Sequence, residues 1–343
     1  MNILDIIIII VYLSLVFYVG FYTRKYINNF DGFMVAGRKI NLSLGVVTML
    51  GTELGLITVM YNAQLGVNEL FSSFHIGLIA FIVTLIIGLT GFVIVNLRKL
   101  KVKSIPEYYQ FRFGKKARIL GAILLSLGGI LNMGLFLQVG ATFVQNTFGL
   151  DSNSSSLIII MAVLLILVLF YTIFGGMLSV VITDYIQYVV LSIGFIVSVF
   201  FSIKYLGWNN IFQEIERMKD YDEIYNPIQT RGPIYISWQV VAGFVSAVIW
   251  PTAITRALSI KDVSLVKKQY IWSSISFLVR LIVPCFLGIC AFVYFNGEID
   301  ANGGDLALFP RYLTEILPVG ILGLVVAGML AAFMSTHDSY LLC

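Results

Sequence analysis

Charge is what this chain has least of. Asp, Glu, Lys and Arg make up 12% of its 343 residues, against 59% hydrophobic. A soluble domain carries about 25% charged residues, so the composition excludes a water-soluble globular fold and fits a chain that crosses a bilayer several times. Cysteine and histidine are also sparse. Cys285, Cys290 and Cys343 are odd in number and lie in apolar stretches, so they form neither a disulfide framework nor a metal-binding spacing. His75 and His337 are too few for a metal centre. No nucleophile–base pair, phosphate loop or metal-ligand set stands out, which argues against an enzyme. No nucleic-acid motif accompanies the net charge of +4.

Long apolar runs are plentiful. Stretches able to span a hydrocarbon core of about 30 Å fall at 3–23, 41–67, 73–96, 119–147, 157–174, 178–203, 235–255, 270–295 and 315–342, predicting nine helices in one transmembrane domain covering 1–343. The first run has Asp5 and no base before it, so it reads as an anchor with its amino end outside rather than a cleavable signal. The bases then sort by side. Arg24, Lys25, Arg38, Lys39, Arg98, Lys99, Lys101, Lys103, Arg112, Lys115, Lys116, Arg118, Arg256, Lys261, Lys267 and Lys268 fall in segments predicted inside. Lys204, Arg217, Lys219, Arg231 and Arg311 fall outside, and Arg280 lies within a span. This bias sets the orientation. The basic loop 97–118, with Ser104-Ile-Pro-Glu107 as a helix start, reads as an orientation anchor. The acidic loop 204–234 predicts an outside amphipathic helix plus coil. No loop or cap follows Leu342, so the sequence reads as a piece of a longer chain.

Three places inside the spans are too polar or too irregular for plain lipid-facing helix. Gly51-Thr52-Glu53-Leu54-Gly55 puts an acid between two glycines, and a central acid costs about 2.5–3.5 kcal/mol on insertion scales. Five spans later, Trp250-Pro251-Thr252-Ala253 removes a backbone donor and kinks or breaks the helix. Interrupted spans at corresponding positions of two halves mark the binding site of inverted-repeat transporters. In the last span Ser335, Asp338 and Ser339 share one stripe at i, i+3 and i+4, beside Thr336. An oxygen-only cluster at membrane depth suits a hard cation such as sodium.

At these residues the chain resembles the sodium/solute symporter family, which includes sodium-coupled proline, sugar and sialic acid carriers. Four segments carry the likeness: Gly51–Gly55, the double-glycine stretch Gly175-Gly176-Met177-Leu178-Ser179-Val180 with Thr183, Asp184 and Gln187, the basic stretch Arg256–Asp262, and Ala331–Ser339. The resemblance implies an all-α polytopic membrane fold. Its core would be five plus five inverted helices after one extra amino-terminal helix, with the last core helices lacking here. It also implies alternating-access symport of a small organic solute with sodium across the plasma membrane, and no other cofactor. By position, sodium would meet the carbonyls of Gly51, Leu54 and Ala332 and the hydroxyls of Ser335 and Thr336. A second sodium would meet Asp184, Ser335, Asp338 and Ser339. A transporter-like sensor whose signalling part is missing is the alternative, and proton coupling is a variant.

Other residues keep two readings. Asp184 shapes sodium exit or caps its helix. Glu53 binds a substrate amine, takes a proton, or bonds to backbone donors at the break. Asn62, Gln64, Thr252 and Trp250 contact the solute or serve packing between helices. Arg280 pairs with Glu53 or Asp338, or meets an anionic solute. His337 points off the stripe and packs.

Overall fold

The computed structural model describes residues 1–23, 36–150, 153–298 and 304–342. Arg24, Lys25 and Cys343 lie outside the described residues. Among those described, every regular element is helical, apart from one isolated parallel bridge between Ile40 and Ile260. The helices are α1 (Ile3–Thr23), α2 (Leu42–Glu53), α3 (Leu56–Glu69), α4 (His75–Thr90), α5 (Ile94–Lys99), α6 (Ile105–Phe113), α7 (Lys115–Phe148), α8 (Ser154–Leu206), α9 (Trp208–Met218), α10 (Pro233–Ile249), α11 (Pro251–Ser259), α12 (Val263–Tyr294), α13 (Gly304–Ile316) and α14 (Ile321–Leu342). Two short turns, Tyr221–Tyr225 and Pro227–Arg231, join α9 to α10.

By length and composition alone, six described helical stretches suffice to cross a membrane, or seven counting the bent pair α10–α11. This is fewer than the nine runs read from hydropathy, because the structure both breaks and fuses them. The 41–67 run is split into α2 and α3. The stretch 56–90 passes as one apolar unit, yet it turns back on itself. Gly45 lies by Gln269, Glu53 by Arg280 and Ala63 by Gly288, so α2 and α3 climb along α12. Gly77 then lies against Leu278 and Ile282, and Gly88 against Tyr270 and Ile271, so α4 descends the same helix.

The runs 157–174 and 178–203 fuse into α8. Its 53 residues would measure roughly 80 Å if straight, far more than one crossing. Leu164 lies beside Gly140 next to Phe333, while Val190 and Leu191 lie beside Gly328. Those α14 positions are only about 7.5 Å apart along the helix. Residues 164 and 191 therefore share one depth, and α8 makes two passes. The Gly175-Gly176 stretch falls between them, and its side-chain surroundings lie outside the described residues.

Each break has a local cause. Asn41 caps α2, its side chain accepting from Leu44 N (2.9 Å). Leu54 (φ −89°, ψ 55°) leaves the helical region, and Gly55 (φ −73°, ψ 159°) starts α3 from extended backbone. Trp250 (φ −61°, ψ 121°) is held extended because Pro251 follows it, and α10 meets α11 at 43°. The basic ends of the two broken helices are tied together. Ile40 N donates to Ser259 O (3.3 Å), Lys261 N donates to Ile40 O (2.9 Å), and Arg98 donates to the carbonyls of Ile260 and Lys261 (2.9 and 3.0 Å). Burial, and Arg38 nearby, lower the Arg98 pKa from its ordinary value, against the pull of Asp262.

Helix α14 runs through the middle of the bundle, with residues 325–339 all buried. Helix α1 packs along it, and Asp5 accepts from the amides of Gly320 (2.7 Å) and Gly323 (2.9 Å) at the start of α14. The opposite faces of α1, α7, α8 and α10 expose Ile, Leu, Phe and Trp side chains such as Ile10, Leu131, Ile196 and Trp238, as a lipid-facing surface requires. In the acidic loop, α9 buries Ile211 and Ile215. The expected coil after it is partly helical, since Asn226 caps the Pro227–Arg231 turn. At this end Arg231 pairs with buried Glu69 (2.5 Å).

Candidate ion- and solute-binding site

The two breaks and the polar stripe of α14 come together. Gly55 faces Thr336: a Cβ on Gly55 would lie 2.2 Å from Thr336 Oγ1. The Gly55 backbone is one that any residue adopts, so glycine is required here by the close approach alone. Thr336 Oγ1 donates to Ala332 O (2.9 Å) and lies 3.5 Å from Thr52 O. The break frees the carbonyls of Gly51, Thr52, Glu53 and Leu54 from the helix ladder: among the described backbone hydrogen bonds outside the helices none ends on them, while Glu53 O accepts from Thr58 Oγ1 (3.1 Å). Leu54, Ala332, Ser335 and Thr336 are all buried. The donor set is oxygen only, and the described residues hold no cluster of three or more His, Cys, Asp or Glu. Such a set suits a hard monovalent cation better than a transition metal.

One turn toward the basic end lies a second polar knot. Asp184 is fully buried and accepts from Thr48 Oγ1 (2.5 Å), Thr52 Oγ1 (3.2 Å) and Ser335 Oγ. Gly51 packs directly on it, since a Cβ there would lie 3.1 Å from the Asp184 backbone oxygen. Arg256, also fully buried, reaches Asp184 Oδ2 at 3.5 Å and donates to Ser339 Oγ (2.6 Å). Ser339 in turn donates to Ser335 O (2.6 Å) and lies 3.3 Å from Asp338 Oδ1. The four residues named for a second sodium, Asp184, Ser335, Asp338 and Ser339, are thus neighbours, with a guanidinium already among them.

Arg256 is the residue that sequence reasoning missed. Placed at the end of the 235–255 span, it counts as one more inside base. Its spacing of four from Thr252 puts both on one face of α11, and that is the signal that could have found it.

A cavity of about 400 Å³ opens beside the ion-site residues, with Thr52, Glu53, Trp250, Thr252, Arg280 and Thr336 in its wall. Glu53 Oε1 accepts from Thr252 Oγ1 (2.9 Å), and Oε2 lies 3.7 Å from Arg280 Nη2. Glu53 therefore joins the two breaks and meets Arg280. Trp250 sits edge-on to Tyr340 (centroids 6.0 Å apart). Asn62 and Gln64 do not reach this cavity. Asn62 donates back to Thr58 O (2.6 Å) and faces Cys285 across α12, and Gln64 bonds to Asp305 at the acidic end. The reason is that α3 climbs past the cavity and turns those faces to α12 and α13. His337 is buried, bonded to Phe333 O (2.9 Å) and packed on Phe136 and Phe333.

Helices broken at one depth around a shared polar site define a multi-pass membrane protein of the inverted-repeat transporter type. Residues 33–343 match the sodium:solute symporter family, and the chain belongs to it. It is 26% identical over 273 residues to the sodium/glucose cotransporter of Vibrio parahaemolyticus, covering 70% of this chain and 48% of that one. It is 24% identical to the human sodium/myo-inositol cotransporter, covering 98% of this chain and 52% of that protein. The chain thus spans about half the length of these relatives. A solved structure of a Na+-coupled sialic acid symporter, substrate-bound and outward-open, superposes with a TM-score of 0.88 at 21% identity, covering 99% of this chain and 72% of that one. The likeness of fold extends over essentially every helix described above.

Proposed function

We propose that this chain forms the ion- and solute-binding part of a sodium-coupled symporter for a small organic solute. The carrying observation is that the α2–α3 break, where the carbonyls of residues 51–54 leave the helix ladder, packs Gly55 directly on the Thr336 hydroxyl, which lies 3.5 Å from Thr52 O. Sodium binds there to Gly51, Leu54, Ala332, Ser335 and Thr336, and the solute occupies the neighbouring cavity against Trp250 and Thr252. Because ion and solute share the walls formed by α2, α11 and α14, each stabilises the other's site, and rocking of these helices carries both across. Thr336, which belongs to the ion set and also lines the cavity, is the direct link.

A second ion at Asp184, Ser335, Asp338 and Ser339 requires Arg256 to withdraw, since its guanidinium holds Ser339 and faces Asp184. Coupling at one sodium per solute follows while that contact persists. The distribution of bases supports a plasma-membrane orientation with the amino terminus outside.

The test is melting of the purified protein in lipid nanodiscs with sodium or choline as the only cation, followed by uptake into proteoliposomes. Sodium-specific stabilisation that is lost in Thr336→Ala is the expected result. Equal melting in both salts sinks the reading.

A further inference from the structure

The cavity carries one charge of each sign, and both are incompletely satisfied. Arg280 stacks on Phe277, its Cζ 3.8 Å from the ring centroid, and its guanidinium is largely buried. Its Nη2 faces Glu53 at 3.7 Å, longer than a hydrogen bond, while Nε and Nη1 are buried with no hydrogen-bond partner. Leaving such donors unpaired is costly. Glu53 has one oxygen on Thr252 and the other held only by the long contact to Arg280.

The remaining wall is of a different kind. Ile57, Val83, Phe136, Trp250, Phe277 and Tyr340 make it apolar and aromatic, and the described lining residues include no Asn, Gln, Asp, Lys or His. Hydroxyl-bearing Thr58, Thr84, Ser246 and Tyr270 also line it, but the charges of the described lining are Glu53 and Arg280 alone.

The geometry points to a zwitterion, an α-amino acid with an apolar side chain, as the solute. This rests on the reading of this cavity as the solute site. The carboxylate pairs with the Arg280 guanidinium, whose side chain lines the cavity beside Glu53, as a planar fork favours. The ammonium displaces the long Arg280 contact at Glu53, so each charge of the site ends with an opposite partner. A simple carboxylate would face the Glu53 charge unbalanced, and a simple amine would do the same at Arg280. A polyol has no charge to offer and leaves Glu53 and Arg280 as they stand.

The experiment uses purified protein in nanodiscs, with thermal shift and calorimetric titration in sodium and in choline. The probes are L-leucine, its deaminated analogue 4-methylpentanoate, its decarboxylated analogue 3-methylbutylamine, D-galactose and myo-inositol. L-Leucine is expected to bind in sodium, with each one-charge analogue weaker by about tenfold or more, the value of a lost charged hydrogen bond. Glu53→Gln should reverse the preference between L-leucine and 4-methylpentanoate, and Arg280→Gln that between L-leucine and 3-methylbutylamine. If either variant fails to fold, the analogue ranking on the unaltered protein and the Arg280→Lys variant, which keeps charge without the fork, still decide. Sodium-specific stabilisation together with a sugar or inositol binding more tightly than L-leucine overturns the zwitterion and leaves the sodium site standing. Absence of any sodium-specific effect overturns the underlying reading instead.

Discussion

Adding one methyl at Gly55 tests the contact on which the ion site depends. Its Cβ would sit 2.2 Å from Thr336 Oγ1, 3.2 Å from Thr336 Cβ and 3.4 Å from Thr336 Cγ2. Backbone strain contributes nothing, because φ −73° and ψ 159° are ordinary for alanine. The whole effect is therefore steric, and Thr336 must rotate or α3 must shift away from α14. Overpacking of this kind costs about 1–3 kcal/mol. Turning the hydroxyl away also removes one sodium ligand, and losing one interaction with a charged group costs about 1.5–3 kcal/mol, or roughly a 10- to 100-fold weaker sodium affinity.

The double variant separates the two terms. Gly55→Ala with Thr336→Ala exchanges one group for another at the same spot, so it should recover much of the melting temperature while sodium affinity stays low. The assay is melting of nanodisc-embedded protein over a sodium series at constant ionic strength. A Gly55→Ala protein with unaltered melting and sodium midpoint would refute the argument, because it would show that α3 and α14 do not meet at this point.

Arg256→Gln should be among the most damaging single changes. It leaves fully buried Asp184 without its cation, a loss of about 3–5 kcal/mol for a broken buried pair. Asp184→Asn combined with Arg256→Gln should cost clearly less than the sum of the two single changes in melting experiments. Asp5→Ala removes the acceptor for the Gly320 and Gly323 amides and should cost about 1–2 kcal/mol, read as lower melting without change in sodium affinity. Asp305 supplies the pH test. Burial pushes its carboxyl up, but the Asn68 and Gln64 side chains outweigh that and hold it below its ordinary value. Its stabilisation is therefore complete above the unfolded pKa of about 3.9 and vanishes as pH falls through the lower folded value. Asp305→Asn should melt below the unaltered protein at neutral pH, with the gap closing toward pH ~3.

Much of the site was legible because membrane cost makes polar residues conspicuous. Glu53, Asp184 and the Ser335–Ser339 stripe stand out in apolar runs, and the structure places all of them within one polar region. Arg280 was visible for the same reason, and its partner proved to be Glu53. Asn62 and Gln64 were misplaced because proximity to the break in sequence does not tell which way α3 faces. Arg256 escaped notice because hydropathy treats a base at a span end as solvated, whereas the tie between Ile40 and Ile260 draws it inside.

Hydropathy by itself determined that this chain lives in a bilayer and where its helices must be interrupted. These follow from the cost of charge and unpaired backbone in hydrocarbon, which acts locally along the chain. Which broken segments touch, which carbonyls are left open to an ion and which charges become partners were decided only by packing. Those contacts join residues as far apart as Thr52 and Ser339, and no local rule carries information over such a separation.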